Sequence, residues 1–231
     1  MESLKKSELI NIIQSLPTFE SPKIQYEQYI TDAIATCDFL YHIAFEQHDL
    51  INEFIVDLGC GTGNLSIGSA LIGAKKVLGV DIDKDALAIY QSNVQSLELT
   101  DKIECIQREI GKDDITAEVL RKKAELHDPN LRVITISNPP FGVHNKGIDL
   151  LFLKQALQFS DVIYSIHLAN DQSRQYLTKQ LEKLGAKITA RATLYLILKG
   201  TYKFHKQNQK KIQTDVYRII KSGNIEKKND E

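Results

Sequence analysis

The sequence predicts one α/β domain built on a mainly parallel sheet with helices on both faces. Three observations favour this fold. Short apolar runs alternate with segments of helical periodicity, the first run leads into a glycine-rich loop, and the composition is that of a globular chain. Of 231 residues, 42% are hydrophobic and 26% are charged, and 29 Lys and Arg oppose 30 Asp and Glu. This balance excludes a disordered chain and a uniformly basic coat for nucleic acid.

The first fifty residues predict helices. Apolar residues recur at helical spacing over 2–15, prolines then favour an extended or looped segment over 17–30, and a second amphipathic helix is expected from Thr31 to about residue 48. We interpret residues 1–50 as a helical extension that packs on the core. Residues 51–220 form the main domain, and residues 221–231 form a polar tail that is expected to be disordered.

Beyond residue 50 the pattern predicts seven strands and five helices. The strands are expected at 54–58, 77–82, 103–107, 132–137, 161–167, 186–198 and 212–220. The helices are expected at 64–71, 84–97, 113–127, 147–159 and 171–184. Because strands and helices alternate, consecutive strands should run parallel, and helices should cover both faces of the sheet.

The cysteines and the hydropathy of the sequence indicate where the protein is located and whether it binds a metal. Cys37, Cys60 and Cys105 are odd in number, widely spaced and contain no CxxC pair, which argues against a disulfide framework and against an intrinsic zinc site. No apolar run reaches the roughly 20 residues that cross a bilayer. We therefore expect an intracellular protein with no metal and no membrane contact.

A glycine-rich loop follows the first predicted strand. Residues 57–63 read Asp-Leu-Gly-Cys-Gly-Thr-Gly, and a loop at this position binds ligands in open α/β sheets. A dinucleotide fingerprint would need Gly-x-Gly-x-x-Gly, and a phosphate-binding Walker loop would need Gly-Lys-Ser/Thr. Neither is present. The alternating glycines fit a loop for S-adenosylmethionine (SAM), and the alternative is a tight turn with no ligand.

An acidic residue ends the second predicted strand. Asp81 lies 18 residues after Gly63, and an acid at this place can accept hydrogen bonds from both hydroxyls of a ribose. The alternative is a solvated strand end. The loop, the acid and the alternating topology agree on a nucleoside cofactor.

The fourth predicted strand leads into Asn138, Pro139, Pro140 and Phe141. The prolines fix the backbone and remove two N–H donors, so the Asn138 side-chain oxygen and the Pro139 carbonyl are left as acceptors. Two acceptors can bind the two hydrogens of an exocyclic amine and aim its lone pair at a methyl donor. Phe141 can stack on a base. The alternative is a rigid strand-to-loop turn. The sequence offers no Asp or His beside Asn138, so we predict neither a covalent intermediate nor an essential general base.

These motifs together identify a family resemblance over about residues 4–220. The chain resembles the small-subunit ribosomal RNA adenine-N6 methyltransferases, the methyltransferase-like protein five type, which are Rossmann-like class I SAM-dependent methyltransferases. The segments that carry the resemblance are the loop at 57–68, Gly-Val-Asp-Ile-Asp at 79–83, Asn-Pro-Pro-Phe-Gly at 138–142, Asn-Lys-Gly-Ile-Asp at 145–149 and Tyr-Lys-Phe-His-Lys at 202–206. The last two are more specific than the glycine loop, which is generic to SAM enzymes.

The resemblance implies a seven-stranded sheet whose last two strands form an antiparallel hairpin, and it implies roles for named residues. The implied cofactor contacts are Gln28, Thr31, Asp57, Gly59, Gly61, Thr62, Asn64, Asp81, Glu109 and Ile110. Glu109 stands where the family usually has Asp. The implied catalytic residues are Asn138, Pro139, Pro140 and Phe141.

The resemblance also implies contacts with RNA and with a protein partner. Lysines interleave with aromatic residues over 199–211, which suits phosphate contact and base stacking, and the alternative is a solvated hairpin loop. The expected RNA contacts are Lys146, Lys203, Phe204, His205 and Lys206. If the chain is eukaryotic or archaeal, the resemblance implies a heterodimer with a small zinc-binding Trm112-like activator, which would add a strand to the sheet at the third-strand edge. The implied location is the cytoplasm and/or the nucleus (nucleolus).

Two other functions share these motifs. Enzymes that methylate the N5 of a protein glutamine use the same tetrapeptide, although they usually have Tyr in place of Phe141. A non-catalytic ribosome-assembly factor could bind RNA and use SAM only structurally. The intact motif at 138–141 argues against the second alternative, and substitution of Asn138 by Ala would separate an enzyme from a binding protein.

Overall fold

The computed structural model describes residues 4–142, 145–199 and 209–223. Within them, seven strands form one sheet. The strands are β1 (Phe54–Leu58), β2 (Lys76–Asp81), β3 (Ile103–Gln107), β4 (Val133–Ser137), β5 (Val162–Leu168), β6 (Ala186–Lys199) and β7 (Gln209–Lys221). The α-helices are α1 (Lys6–Ser15), α2 (Ala33–Tyr41), α3 (Asn64–Ile72), α4 (Lys84–Ser96), α5 (Ile115–Glu125), α6 (Ile148–Phe159) and α7 (Asp171–Lys183).

The strand order is β3-β2-β1-β4-β5-β7-β6. The first five strands pair in parallel, and β7 pairs antiparallel with both β5 and β6. This arrangement confirms the predicted seven-stranded sheet and its closing hairpin. The chain moves outward in opposite directions from β1 and β4, so a crevice opens between the carboxyl ends of these two strands.

Helices cover both faces of the sheet, because the strands in the middle are apolar on both sides. On β1, Ile55 belongs to one buried cluster and Val56 belongs to the other. Residues of α1, α2, α3 and α4 pack in the first cluster, and residues of α5, α6 and α7 pack in the second. Leu9 and Ile13 of α1 are buried in the cluster of Ile55, so the first helix is part of the common core.

The structure differs from the predicted elements mainly at their ends. The second predicted helix is α-helical only to Tyr41 and continues as a π-helical turn over His42–Glu46. The segment predicted to be extended contains a short 3₁₀ helix, Ile24–Tyr26. β7 begins three residues earlier than predicted, because cross-strand pairing with β6 extends to Gln209. The chain pattern alone does not show such tertiary pairing. Among the described residues, no helix is long and apolar enough to cross a membrane.

Candidate active site

A cavity of about 480 Å³ lies at the carboxyl ends of the parallel strands. Its volume falls in the range of small-molecule sites, roughly 300–1,000 Å³. Many of the predicted site residues line it. They are Gln28, Thr31, Gly59, Gly61, Thr62, Asn64, Asp81, Glu109, Ile110, Asn138 and Pro140. The fold therefore brings the glycine loop, the acid after β2 and the motif after β4 to one place.

The glycine loop has a backbone conformation that residues with a side chain rarely adopt. Gly59, Gly61 and Gly63 have φ of +74°, +52° and +99°, in the left-handed region where glycine is favoured. A Cβ at Gly59 would stand 2.9 Å from Cε1 of Phe152. The loop is fixed to the neighbouring strand by the amide of Gly59, which donates to the Val80 carbonyl at 2.8 Å. At Gly59 and Gly61 the cavity wall is consequently backbone rather than side chain.

The carboxylate of Asp81 is held in position by the backbone. Oδ2 accepts from the Gly61 amide at 2.8 Å, and Oδ1 accepts from the Asp83 amide at 2.9 Å. Burial raises the pKa of Asp81, although these backbone hydrogen bonds act in the opposite direction. A carboxylate offers about four lone-pair positions, so each oxygen can accept a further hydrogen bond on the cavity side. The residue present therefore fits a ligand with two adjacent hydroxyls, as a ribose has.

A segment before α2 closes the cavity on the other side. Gln28 donates from Nε2 to Oδ2 of Asp83 at 2.7 Å and accepts from the Lys23 amide at 2.7 Å. The Thr31 carbonyl accepts from Nδ2 of Asn64 at 3.1 Å. Gln28 is thus tied to the N-terminal cap of α4, the helix that follows β2, and Thr31 is tied to α3, the helix that follows the glycine loop.

Asn138 is oriented by a single hydrogen bond from its amide group. Nδ2 donates to Oγ1 of Thr31 at 2.8 Å, which identifies Oδ1 as the acceptor of the side chain. Asn138 Oδ1 and the Pro139 carbonyl oxygen both accept from the hydroxyl of Tyr29, at 3.1 and 3.3 Å. The Tyr29 ring stacks on Phe141, with centroids 5.2 Å apart. The two predicted acceptors therefore converge on one point beside an aromatic face.

Some predicted residues lie elsewhere. Asp57 is fully buried and is not on the cavity wall. Its Oδ2 accepts from the Ser66 hydroxyl at 2.6 Å, and burial raises its pKa to about 7. Its role as a cofactor contact stays a prediction. Lys146 is exposed on the loop before α6. Lys203, Phe204, His205 and Lys206 lie outside the described residues.

Sequence reasoning missed several residues of the cavity. Tyr29 lies between Gln28 and Thr31, both of which were predicted, so its position in the segment was the available signal. Phe152 and Leu151 of α6 also line the cavity, but their helical pattern reads only as core. Asp83 begins a helix, where an acidic residue is expected from sequence alone. It does cap α4, accepting from the Asp85 amide at 3.1 Å, and it also anchors Gln28.

The fold and the site define a Rossmann-like class I methyltransferase. The family model of ribosomal protein L11 methyltransferase (PrmA) matches residues 41–124. Over nearly the whole chain, the sequence is 38% identical to the rRNA N(6)-adenosine-methyltransferase METTL5 of Danio rerio, over 94% of this chain and 99% of that protein. It is 35% identical to Mettl5 of Drosophila melanogaster, over 95% and 98%. The crystal structure of PH1948 from Pyrococcus horikoshii matches with a TM-score of 0.79 and 32% identity, over 96% of this chain and 98% of that one.

This chain belongs to the METTL5 family of rRNA N(6)-adenosine-methyltransferases. The resemblance read from the motifs is confirmed by these full-length matches. The L11 methyltransferase model ends at residue 124, before β4 and the Asn-Pro-Pro-Phe motif, so it covers the glycine loop and the acid after β2 but not the acceptors at Asn138.

Proposed function

We propose that this protein transfers the methyl group of SAM to the N6 amine of an adenosine in small-subunit ribosomal RNA. The observation that carries the proposal is the convergence of Asn138 Oδ1 and the Pro139 carbonyl on one point beside Phe141. The family supports the same reaction, since its animal members are named rRNA N(6)-adenosine-methyltransferases.

The cofactor would lie in the cavity between the glycine loop and the segment before α2. Asp81 would accept from the ribose hydroxyls, and the backbone at Gly59 and Gly61 would let the nucleoside approach closely. Gln28, Thr31, Thr62, Asn64, Glu109 and Ile110 would complete the contacts. Bound SAM supplies an electrophilic methyl group on a positively charged sulfur.

The protein's own contribution is orientation and charge stabilisation. Asn138 Oδ1 and the Pro139 carbonyl would each accept one hydrogen of the amine, which draws the nitrogen toward tetrahedral geometry and aims its lone pair at the methyl group. The nitrogen would release one of its two protons to solvent once the methyl group is transferred. The same two oxygens stabilise the positive charge that develops on nitrogen during transfer. Pro139 and Pro140 hold the acceptors rigidly, and Phe141 holds the plane of the base. The base must be unpaired or flipped to reach this point.

RNA contacts outside the cavity are proposed for Lys146, Lys203, Phe204, His205 and Lys206. Lys146 is exposed on the loop between the motif and α6. The other four belong to the basic segment 199–211, which contains five lysines and no acidic residue. Phosphate contacts of this kind make binding depend on salt.

We also propose that a small zinc-binding Trm112-like activator forms a heterodimer with this chain along β3. β3 is an edge strand of the sheet, and edge strands present unpaired peptide groups. A substrate in ribosomal RNA supports a location in the cytoplasm and/or the nucleus (nucleolus).

The test is to incubate the chain, with and without the activator, with labelled SAM and small-subunit RNA, and then digest the RNA to nucleosides. Label in N6-methyladenosine is the expected result. Label in protein glutamine instead would support the alternative amide methyltransferase. SAM binding without label in RNA or protein would contradict the proposed methylation and favour the non-catalytic assembly factor.

Asn138→Ala is the decisive variant in this assay. Loss of one oriented acceptor should lower the rate of methylation by about 100-fold or more, in line with the removal of one preorganised hydrogen-bonding group. The dissociation constant for SAM should stay within about twofold of the wild type. Asn130→Ala, in an exposed turn before β4, is the matched control and should leave both quantities unchanged. An Asn138→Ala variant with wild-type turnover would contradict the assigned role.

A further inference from the structure

Tyr29 occupies the point at which the two acceptors of the motif converge. Its hydroxyl is 3.1 Å from Asn138 Oδ1 and 3.3 Å from the Pro139 carbonyl oxygen. Its ring is stacked on Phe141 at 5.2 Å between centroids and 30° between planes. A target adenine needs these same three contacts, namely two acceptors for its amine and an aromatic face for its ring. One side chain and one base cannot fill the same place.

We propose that Tyr29 holds the place of the target base in the substrate-free protein, and that the base enters by displacing it. This inference rests on the proposed function, because it takes an adenine as the ligand of the motif. It makes Tyr29 a specificity-determining residue of the site, since a base that enters must replace the two hydrogen bonds and the ring stacking of the Tyr29 side chain.

The hydrogen-bond count favours the exchange. A phenol carries one hydrogen, which the two acceptors must share, whereas an exocyclic amine carries two and can satisfy both oxygens. In the substrate-free protein the phenol still keeps the acceptors from being buried without a donor, which is costly. Burial raises the pKa of Tyr29 well above its ordinary value, so the phenol remains a donor at neutral pH.

The residues on both sides of Tyr29 are anchored. Gln28 is bound to Asp83 at 2.7 Å, and Thr31 is bound to both Asn64 and Asn138. The displacement therefore concerns the Tyr29 side chain rather than the whole segment. The same short segment would contact the cofactor through Gln28 and Thr31, and Tyr29 lines the same cavity, so the place that the base would take adjoins the cofactor site.

The test measures binding without turnover. The full chain is loaded with S-adenosylhomocysteine, and its affinity for a short single-stranded RNA with one adenosine is measured for the wild type, Tyr29→Phe and Tyr29→Leu. Tyr29→Phe loses both hydrogen bonds and keeps a ring, so it should bind the RNA roughly fivefold more tightly, the equivalent of about 1 kcal/mol. Tyr29→Leu should bind at least as tightly as Tyr29→Phe.

Two controls keep the result interpretable. Tyr176→Phe, on the exposed part of α7, should leave RNA affinity unchanged. An unchanged affinity of each variant for S-adenosylhomocysteine shows that the segment around Gln28 and Thr31 is intact. In turnover, Tyr29→Phe should lower KM for the RNA. Equal or weaker RNA binding by Tyr29→Phe would overturn the inference, because Tyr29 would then support the base rather than obstruct it.

Failure of the inference and failure of the proposed function give different results. If the wild type makes no N6-methyladenosine but Tyr29→Phe still binds the RNA more tightly, the proposed reaction fails and the placeholder stands. If the wild type methylates RNA and Tyr29→Phe gains no affinity, the reaction stands and the placeholder fails.

Discussion

Asp57 lies near the end of β1 with its carboxyl group fully buried. Burial raises its pKa to about 7, from an ordinary value of 3.8. Between these two pH values, the carboxyl group is therefore protonated in the folded state and ionised in the unfolded state. The resulting stabilisation is fully present below the unfolded pKa and is lost as the pH rises through about 7, a total of about 4 kcal/mol.

Replacing Asp57 by Asn should remove this pH dependence. The free energy of unfolding of the wild type should fall between pH 5 and pH 8 by about 2–3 kcal/mol relative to Asp57→Asn. Urea unfolding at both pH values measures the difference, and titrations common to both proteins cancel. Asp101→Asn, at an exposed residue, should follow the wild type. Parallel pH profiles for the wild type and Asp57→Asn would show that the carboxyl group is ionised when folded.

Residue-level reasoning from the sequence found the acceptors at Asn138 and Pro139, because the prolines and the strand end dictate them. It did not find Tyr29, because a tyrosine between two candidate contacts has no pattern of its own. Only the path of the segment before α2, across the sheet edge to Phe141, brings the phenol to that point. The two acceptors could be predicted because they lie in one short motif. The contact between Tyr29 and Asn138 could not, because the two residues are 109 positions apart in the chain.

At the scale of elements, the hydrogen bonds at the two ends of edge strand β3 show which of its peptide groups face β2. The Val77 amide donates to the Lys102 carbonyl, and the Arg108 amide donates to the Asp81 carbonyl. Since peptide groups alternate along a strand, the even-numbered residues face β2 and the peptide group of Cys105 faces away from the sheet. This outward edge is where an added strand would pair.

Cys105→Pro should therefore block strand addition while retaining the bonds to β2. Proline lacks the N–H that an added strand would use, and it is tolerated at sheet edges. Copurification of the activator with the variant should be lost, and SAM binding should persist. Cys105→Ala controls for loss of the thiol. Retention of the activator by Cys105→Pro would place the heterodimer interface elsewhere.

The elements themselves were largely predictable, since apolar runs of five to seven residues before helices indicate buried parallel strands. All seven strands of the described sheet were anticipated, with ends displaced by up to three residues. The π-helical turn at His42–Glu46 was not. Its amino acids suit an α-helix equally well, so this widening of the helix has no signature in the local sequence.

At the scale of the molecule, a buried network joins the region before β1 to three strands. Asp49 accepts from the Tyr164 hydroxyl on β5 at 2.6 Å, from Arg218 Nε on β7 at 2.8 Å and from Arg132 Nη1, beside β4, at 2.6 Å. Burial opposes ionisation of Asp49, but these three hydrogen bonds outweigh it and lower the pKa. The stabilisation is consequently present at neutral pH and lost as the pH falls below about 4.

Asp49→Ala should destabilise the whole domain by about 3–5 kcal/mol, because Arg218 and Tyr164 would lose their buried acceptor. The measurement is the free energy of unfolding in urea at pH 7. Asp38→Ala removes a surface ion pair with Lys6 at 2.6 Å and should cost less than about 1 kcal/mol. Similar losses for the two variants would mean that the network contributes no more than a surface pair.

The link between Asn138 and Thr31 has a consequence for biosynthesis. The two residues are 107 positions apart, and the neighbouring Asp32 accepts from the Ile197 amide across 165 positions. At roughly 5–20 residues per second, a ribosome needs about 10 to 30 seconds to make that longer stretch. The segment that closes the cavity thus leaves the exit tunnel well before Asn138 and Ile197, to which Thr31 and Asp32 bind, are synthesised. A nascent chain that is released before β6 should bring the glycine loop and the motif together but lack the hydrogen bond by which the Ile197 amide ties Asp32, next to the closing segment, to β6.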